Sequence, residues 1–398
     1  MEQKRLNYID CGRLLCILFV CVAHSGSKIL NPTGMAILLM PFFFFIFGFL
    51  CKPEKYSVCE FAASRFKQIV IPFFLIQPLC FALDLLRVKI FALDTSSSAL
   101  AASYFLFPLY GSGVFPPFAF FKSFSLPQFG DTLSTVAVSV LNAPTWFLPV
   151  MFTASLLFYP LAKFLEKNFS MLKLSATVLC LFCLAGIEAQ TPYAFQLPWG
   201  LGRAFLAAGI MLIGCYVRKK TLLENPDRKR SCKIYCAAAV SVLAAFLTGT
   251  TGEIACSNYM YEAGYCSLFI LGLGGSAAVC ALLLFLKRME EKYGETKLFS
   301  TLALAGRKTL WIYLLHMPFF FIFDVIFLKC GIQPNPCYYN HILYPYSAAT
   351  LLPHIIQILG TMVLCVLTGC AWEKFKNRHR NIRSGVTNNY TGEITDEH

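Results

Sequence analysis

The segment "RLNYIDCGRLLCILFVCVAHSG", Arg5 to Gly26, is apolar along most of its length yet holds Asp10, Arg13 and His24. On an α-helix the step from Arg13 to His24 is about three turns plus 20°, so the two side chains share a face. Asp10 precedes Arg13 by one helical turn, on the same face and within pairing range. At 1.5 Å per residue, His24 lies ~16 Å deeper than Arg13. A guanidinium at a membrane rim can hold an anionic group, and an imidazole deeper in the bundle can act as base or nucleophile. A long extended donor would join the two. Ionisable groups are costly inside a bilayer, which makes all three functional candidates. Plainer roles compete: Arg13 as a charge anchor, Asp10 as its partner only, His24 as an interhelical hydrogen bond.

Two further clusters add to this one. In "GRKTLWIYLLHMPFF", Gly306 to Phe320, His316 follows the basic pair Arg307–Lys308 by about two turns. That is ~12 Å of helix, a depth similar to that of His24, so imidazoles from distant segments can meet; a packing role is the alternative. The run "MPFFFFIFGFL", Met40 to Leu50, precedes "SRFKQIVIP", Ser64 to Pro72, and Lys52, Lys55, Arg65 and Lys67 gather at one rim. These cations read either as retained cytoplasmic charge or as a mouth for a phosphorylated donor, since arginine binds phosphate well. Asp84, Arg87, Lys89, Glu188, Arg203, Glu253 and Glu262 are weaker leads, and Asp324, two turns beyond His316, is a candidate lining residue.

Elements that position these groups must cross a membrane. Of 398 residues, 57% are apolar and only 14% charged, with mean hydropathy +0.61, well below the ~25% charge of soluble domains. About ten spans are expected, at 9–29, 33–51, 66–91, 146–165, 171–188, 200–218, 233–251, 266–287, 306–328 and 351–372. Backbone groups in lipid must satisfy one another, so the fold class is all-α, a polytopic integral membrane protein. With ten alternating spans and a cytoplasmic N-terminus, 28 of the 34 Lys and Arg residues fall inside. This obeys the positive-inside rule, puts both termini in the cytoplasm and accounts for the net charge of +13 without nucleic acid. The first span reads as a retained helix, not a cleaved signal.

The chain divides into a membrane domain, 1–376, and a polar cytoplasmic tail expected to be disordered, 377–398. The connection 92–145 is apolar but rich in proline, so it is expected to lie at the outer interface or fold back over the bundle; two further short spans are the alternative. Most of the 18 cysteines sit within spans as small apolar residues, and none of their spacings reads as a metal site. Cys256 with Cys266, and Cys330 with Cys337, are candidate outer disulfides or free thiols. Trp146, Trp199 and Trp372 fall at helix ends, as an interfacial belt requires.

Taken together, "RLNYIDCGRLLCILFVCVAH", "MPFFFFIFGFL", "RFKQIVIP", "APTWFLPVMF" and "GRKTLWIYLLHMP", in that order over residues 5–318, resemble the membrane acyltransferase-3 family, which includes bacterial sugar O-acetylases. The resemblance implies a ten-helix bundle using cytoplasmic acyl-CoA as donor substrate, with no permanently bound cofactor. It further implies an acceptor hydroxyl on an extracytoplasmic or lipid-linked glycan. His24 would be the catalytic imidazole, with Arg13 and Asp10 completing the catalytic set. Arg65 would serve the donor, and His316 and Trp146 match motif positions that would support the site or face the acceptor; on the residues' own placement, Lys67 and Gln68 join Arg65 on the donor side and Asp324 joins the acceptor side. Two positions depart from the family pattern: Phe47 stands where Ser usually precedes the glycine, and Gln68 stands where a second arginine follows Arg65.

The sequence therefore reads as an O-acyltransferase, O-acetyl by expectation, of a bacterial cytoplasmic membrane, partnered by the bilayer, acyl-CoA and a carbohydrate. A glycan transporter or flippase is the main alternative; matching repeats with broken helices would favour it, and none is evident. A non-catalytic partner of a polysaccharide synthase is the other.

Overall fold

A computed structural model of the chain describes residues 6–25, 36–92, 97–110, 141–167, 170–190, 197–224, 226–248, 265–332 and 348–392. We number the principal helices α1 (Asn7–His24), α2 (Ala36–Leu50), α3 (Val58–Phe91), α4 (Phe147–Glu166), α5 (Met171–Ala189), α6 (Leu201–Lys219), α7 (Arg228–Leu247), α8 (Gly275–Tyr293), α9 (Lys297–Gly306), α10 (Thr309–Lys329) and α11 (Ala348–Gly392). The described residues are helices and their connections, with no strand among them. Among the described residues nine helices are long and apolar enough to cross a bilayer. They correspond to nine of the ten expected spans, and the protein is an all-α polytopic membrane protein. The remaining expected span, 33–51, contains a shorter apolar helix, Ile37–Leu50.

That short helix is nevertheless the centre of the bundle. It is hydrophobic all round, as a helix enclosed by others must be, and Phe42, Phe44, Phe45 and Phe49 are buried. Its neighbours are α1, α6 and α8. The crossing with α6 is close because glycines sit at it. A Cβ on Gly48 would lie 1.9 Å from the Met211 carbonyl oxygen, and one on Gly214 would lie 2.2 Å from that of Phe45. Small residues let membrane helices approach to backbone contact. Gly48→Ala is therefore expected to force α2 and α6 apart and to destabilise the protein by about 1–3 kcal/mol, read as a lowered thermal midpoint in detergent. Burial falls off outward: 72% of the apolar window in Pro198–Lys219 is buried, against 17% in Arg228–Leu247, so α7 lies at the periphery.

Local chemistry explains two irregularities. Helix α3 opens on a capping box between Ser57 and Glu60, then widens into a π-helical turn at Phe66–Val70. Pro72 follows at once and has no N–H to return to the Gln68 carbonyl, which breaks the regular ladder where the turn widens. Helix α9 is an addition to the expected elements, inside the connection read as a cytoplasmic loop. Thr296 caps it, accepting from Phe299 N at 3.2 Å. Phe299, Ala303 and Gly306 face inward, and Gly306 is so close to α1 that its Cβ would meet the Asp10 carbonyl oxygen at 1.8 Å. The one-turn spacing of those three residues behind a Thr cap was the sequence signature of this helix.

The connection 92–145 is described at both ends. It starts as short helical segments Ser97–Ala101, Ala102–Leu106 and Phe107–Tyr110, and returns through a 3₁₀ turn, Ala143–Trp146, into α4. Residues 111–140 lie outside the described part, as do Cys256, Cys337 and the Cys266 side chain, so neither cysteine pair is placed. Helix α11 extends beyond the expected span, through the polar residues that follow it, to Gly392.

Candidate active site

His24 is the last residue of α1, and His316 lies in the middle of α10. Their ring centroids are 5.4 Å apart with the planes tilted by 38°. Sequence spacing placed the two at similar depth, and packing of α1 on α10 brings them face to face. The Nδ1 of His316 lies 2.8 Å from the Tyr313 carbonyl oxygen and 3.2 Å from that of Ile312. Carbonyls only accept, so a neutral His316 carries its proton on Nδ1 and a lone pair on Nε2.

His24 opens onto a narrow recess of about 10 Å³, room for about one water molecule. Met40, Pro144, Trp146, Phe147 and Tyr313 are among its walls. Trp146 is thus brought to His24 from a segment more than 100 positions away in sequence, and the guanidinium of Arg203 lies 4.9 Å from the Trp146 ring. The Tyr313 hydroxyl donates to the Pro144 carbonyl, tying α10 to the 3₁₀ turn that carries Trp146. Tyr313 was not singled out from sequence, although it stands one turn before His316 on the same face.

At the other end of α1, Asp10 is buried and Arg13 Nη1 donates to its Oδ1 at 2.9 Å. The predicted pair is present, and a second cation joins it. Arg307, just after α9, places Nε 3.4 Å from Asp10 Oδ2 and donates from Nη2 to Asn7 Oδ1 at 3.1 Å. One carboxylate therefore lies between two guanidiniums that are each about one-third exposed. Charge counting had assigned Arg307 to the inner loop; α9 is what carries it to Asp10.

Arg65 turns inward. Its guanidinium carbon lies 5.3 Å from the Phe47 ring centre and 5.1 Å from that of Phe61. Its Nε is buried without a hydrogen-bond partner among the described residues. Phe47, one of the two departures from the family pattern, thus supplies an aromatic face for the arginine. Lys67 and Gln68 point away: both are exposed on the π-helical turn, and Gln68 Nε2 donates to Ser64 Oγ at 3.0 Å. Asp324 is buried, accepts from Gln357 Nε2 at 2.9 Å and does not line the recess. Lys308 is buried between α10 and α11 in an ion pair with Glu373. Among the described residues no group of three or more His, Cys, Asp or Glu side chains is placed to hold a metal ion.

A family model described as an acyltransferase domain matches residues 6–371, nearly the whole membrane domain. The chain belongs to the acyltransferase-3 family. Comparison with curated proteins and with solved structures gave no match. Membership makes the protein a membrane acyltransferase in general terms. It also gives the geometry a chemical reading: an imidazole at an enclosed recess, with cations at one rim of the same helix, is an arrangement in which an acyl group can be held and passed on.

Proposed function

We propose that the protein transfers an acyl group, read as acetyl, from cytoplasmic acyl-CoA to a hydroxyl of an envelope, exported or lipid-linked carbohydrate in a bacterial cytoplasmic membrane. The observation that supports this most directly is the span of α1, with the Asp10–Arg13–Arg307 cluster at one end and His24 at the other. The two ends are ~16 Å apart along the helix, a distance that an extended arm ending in a thioester can bridge. In this reading the donor's phosphates rest near Arg13 and Arg65, whose guanidiniums suit them.

The thioester then meets His24 in the recess. By direct transfer, the sugar hydroxyl gives its proton to a His24 nitrogen as its oxygen attacks the thioester carbonyl. The C–S bond breaks, and the CoA thiolate leaves with the proton from the imidazolium. By the covalent route, a His24 nitrogen attacks the thioester carbonyl and the C–S bond breaks to release the thiolate; the hydroxyl oxygen then takes the acyl group from the acyl-imidazolium, the N–acyl bond breaks, and the hydroxyl proton passes to the thiolate. Both routes use the same atoms. Apolar walls such as Met40 and Phe147 disfavour competing water, and Trp146, with the Arg203 guanidinium over its ring, is a wall against which an acceptor ring can stack.

The test uses purified protein in nanodiscs with radiolabelled acetyl-CoA, with and without a crude glycan fraction. Wild type is expected to release CoA and pass label to the glycan. Arg13→Ala is expected to raise the KM for acetyl-CoA about tenfold or more, since a charge-assisted contact is worth about 1.5–3 kcal/mol. Label retained on protein without glycan would select the covalent route. Folded wild type that releases no CoA with any glycan fraction, but moves glycan across a vesicle membrane, would replace this reading with transport.

A further inference from the structure

We infer that His316 is a positioning residue for His24: its Nε2 accepts a hydrogen bond from one ring nitrogen of His24 and so fixes which His24 nitrogen presents a lone pair to the recess. The inference concerns the site of the acyl-transfer reading and rests on that reading for its catalytic consequence, though not for the pairing itself.

Three observations converge. Nδ1 of His316 is committed to the carbonyls of Tyr313 and Ile312, so the neutral ring has only an acceptor left. That acceptor, Nε2, is buried and has no hydrogen-bond partner among the described residues, while the residue as a whole is 1% exposed. A buried acceptor left empty is costly, and native structures rarely leave one so without a use. Finally, His24 lines the recess and His316 does not. A substrate hydroxyl entering the recess therefore reaches His24 before His316, whose ring stands 5.4 Å from that of His24 between centroids. Nε2 makes no hydrogen bond with the His24 ring as it stands, and at this spacing a rotation of that ring brings one of its nitrogens within hydrogen-bond range.

The order is thus recess, His24, His316, backbone carbonyl. A neutral imidazole has two tautomers, and only one of them offers its lone pair to the hydroxyl. With His316 as acceptor, the His24 N–H is held on the inner side and the lone pair on the recess side. When His24 takes the hydroxyl proton, its inner N–H stays on His24 and donates to His316 more strongly, because a charged donor makes the stronger bond. No proton is lost to His316, and the one gained leaves with the CoA thiolate. On the covalent route, the same inner N–H bond steadies the acyl-imidazolium. Aromatic contacts from Phe320, at 5.9 Å, and Tyr313, at 6.1 Å, hold the His316 ring in place.

The experiment compares wild type, His316→Leu and His316→Gln as full chains in nanodiscs with ¹⁵N-labelled histidine. The chain has six histidines, and the His24 signals are those lost in His24→Ala. In wild type, His24 is expected to show one tautomer with a hydrogen-bonded N–H. In His316→Leu, which keeps bulk but has no acceptor, the signals should become those of mixed tautomers. In His316→Gln, whose carbonyl accepts, the single tautomer should return. Turnover of acetyl-CoA should fall about 100-fold in His316→Leu, within the range for a mispositioned base, with KM within about twofold, and His316→Gln should recover at least tenfold of that loss. His24 signals identical in wild type and His316→Leu would overturn the inference, as would equal turnover losses in the Leu and Gln variants. A wild type that shows the coupled pair but turns over no acetyl-CoA would defeat the acyl-transfer reading and leave the pairing standing.

Discussion

His24→Ala is expected to lower acyl-CoA turnover about 10⁴-fold while leaving the KM for acyl-CoA within about twofold. The magnitude is the upper range for loss of a positioned acid–base group, and it applies because the recess offers no substitute. Trp146, Tyr313, Pro144, Phe147 and Met40 share its walls with His24, and none of them is a base near neutral pH. The KM should hold because the cations proposed to grip the donor, Arg13 and Arg65, sit near the opposite rim and make their contacts through Asp10, Phe47 and Phe61. Folding should survive as well. His24 is only half-buried and ends its helix, so truncation removes little packing. The check is a steady-state assay of both parameters, with added imidazole as a second arm. Free imidazole entering the vacated space should restore part of the turnover in His24→Ala and none in Arg13→Ala. Turnover within tenfold of wild type would move the chemistry away from His24.

Much of this arrangement was legible in the sequence because it rests on helical periodicity. The spacing from Asp10 through Arg13 to His24 lies on one helix, so its geometry follows from residues per turn alone. The depth of His316 followed in the same way. What periodicity does not supply is the third dimension. Nothing in the local sequence says that Arg307 reaches Asp10, because that contact needs α9, a short helix hidden in a loop whose charges fitted the inner-side count. Nor does it say that Lys67 and Gln68 turn outward. That depends on a π-helical turn, and hence on the missing N–H of Pro72 three positions beyond Ile69. Phe47 illustrates the converse: as a motif position it was a departure, and only packing shows its ring beside Arg65.

The wall of the recess opposite α1 was the least legible part, and it carries the second large expectation: Asp84→Ala should destabilise the protein by about 3–5 kcal/mol. Asp84 was a weak lead in sequence, one of several charges late in its span. In the structure it is fully buried and serves three donors: Arg87 Nε at 2.5 Å, the Tyr104 hydroxyl, and Leu141 N at 3.0 Å. Arg87 is itself 2% exposed, so removing the carboxylate breaks a buried ion pair and takes an acceptor from three buried donors at once, which makes the loss expensive. The damage should not stay local. Beside Leu141, Asn142 Nδ2 donates to Gln77 Oε1 at 2.5 Å and to the Ser103 carbonyl at 3.4 Å. These bonds clamp the return of the long connection onto α3 just before Pro144, which accepts from Tyr313, and Trp146, which lines the recess beside His24. Loosening the clamp should therefore lower kcat as well as the thermal midpoint, and leave the donor KM unchanged because the cationic rim is at the far end of α1. Asp84→Asn keeps the shape and one acceptor oxygen for Leu141 N while removing the charge, so it should lose less stability than Asp84→Ala. Unfolding in detergent measured alongside steady-state kinetics separates the two effects. A loss below about 1 kcal/mol in Asp84→Ala would mean that the connection is held by its apolar contacts and that this carboxylate is not what fixes Trp146 beside His24.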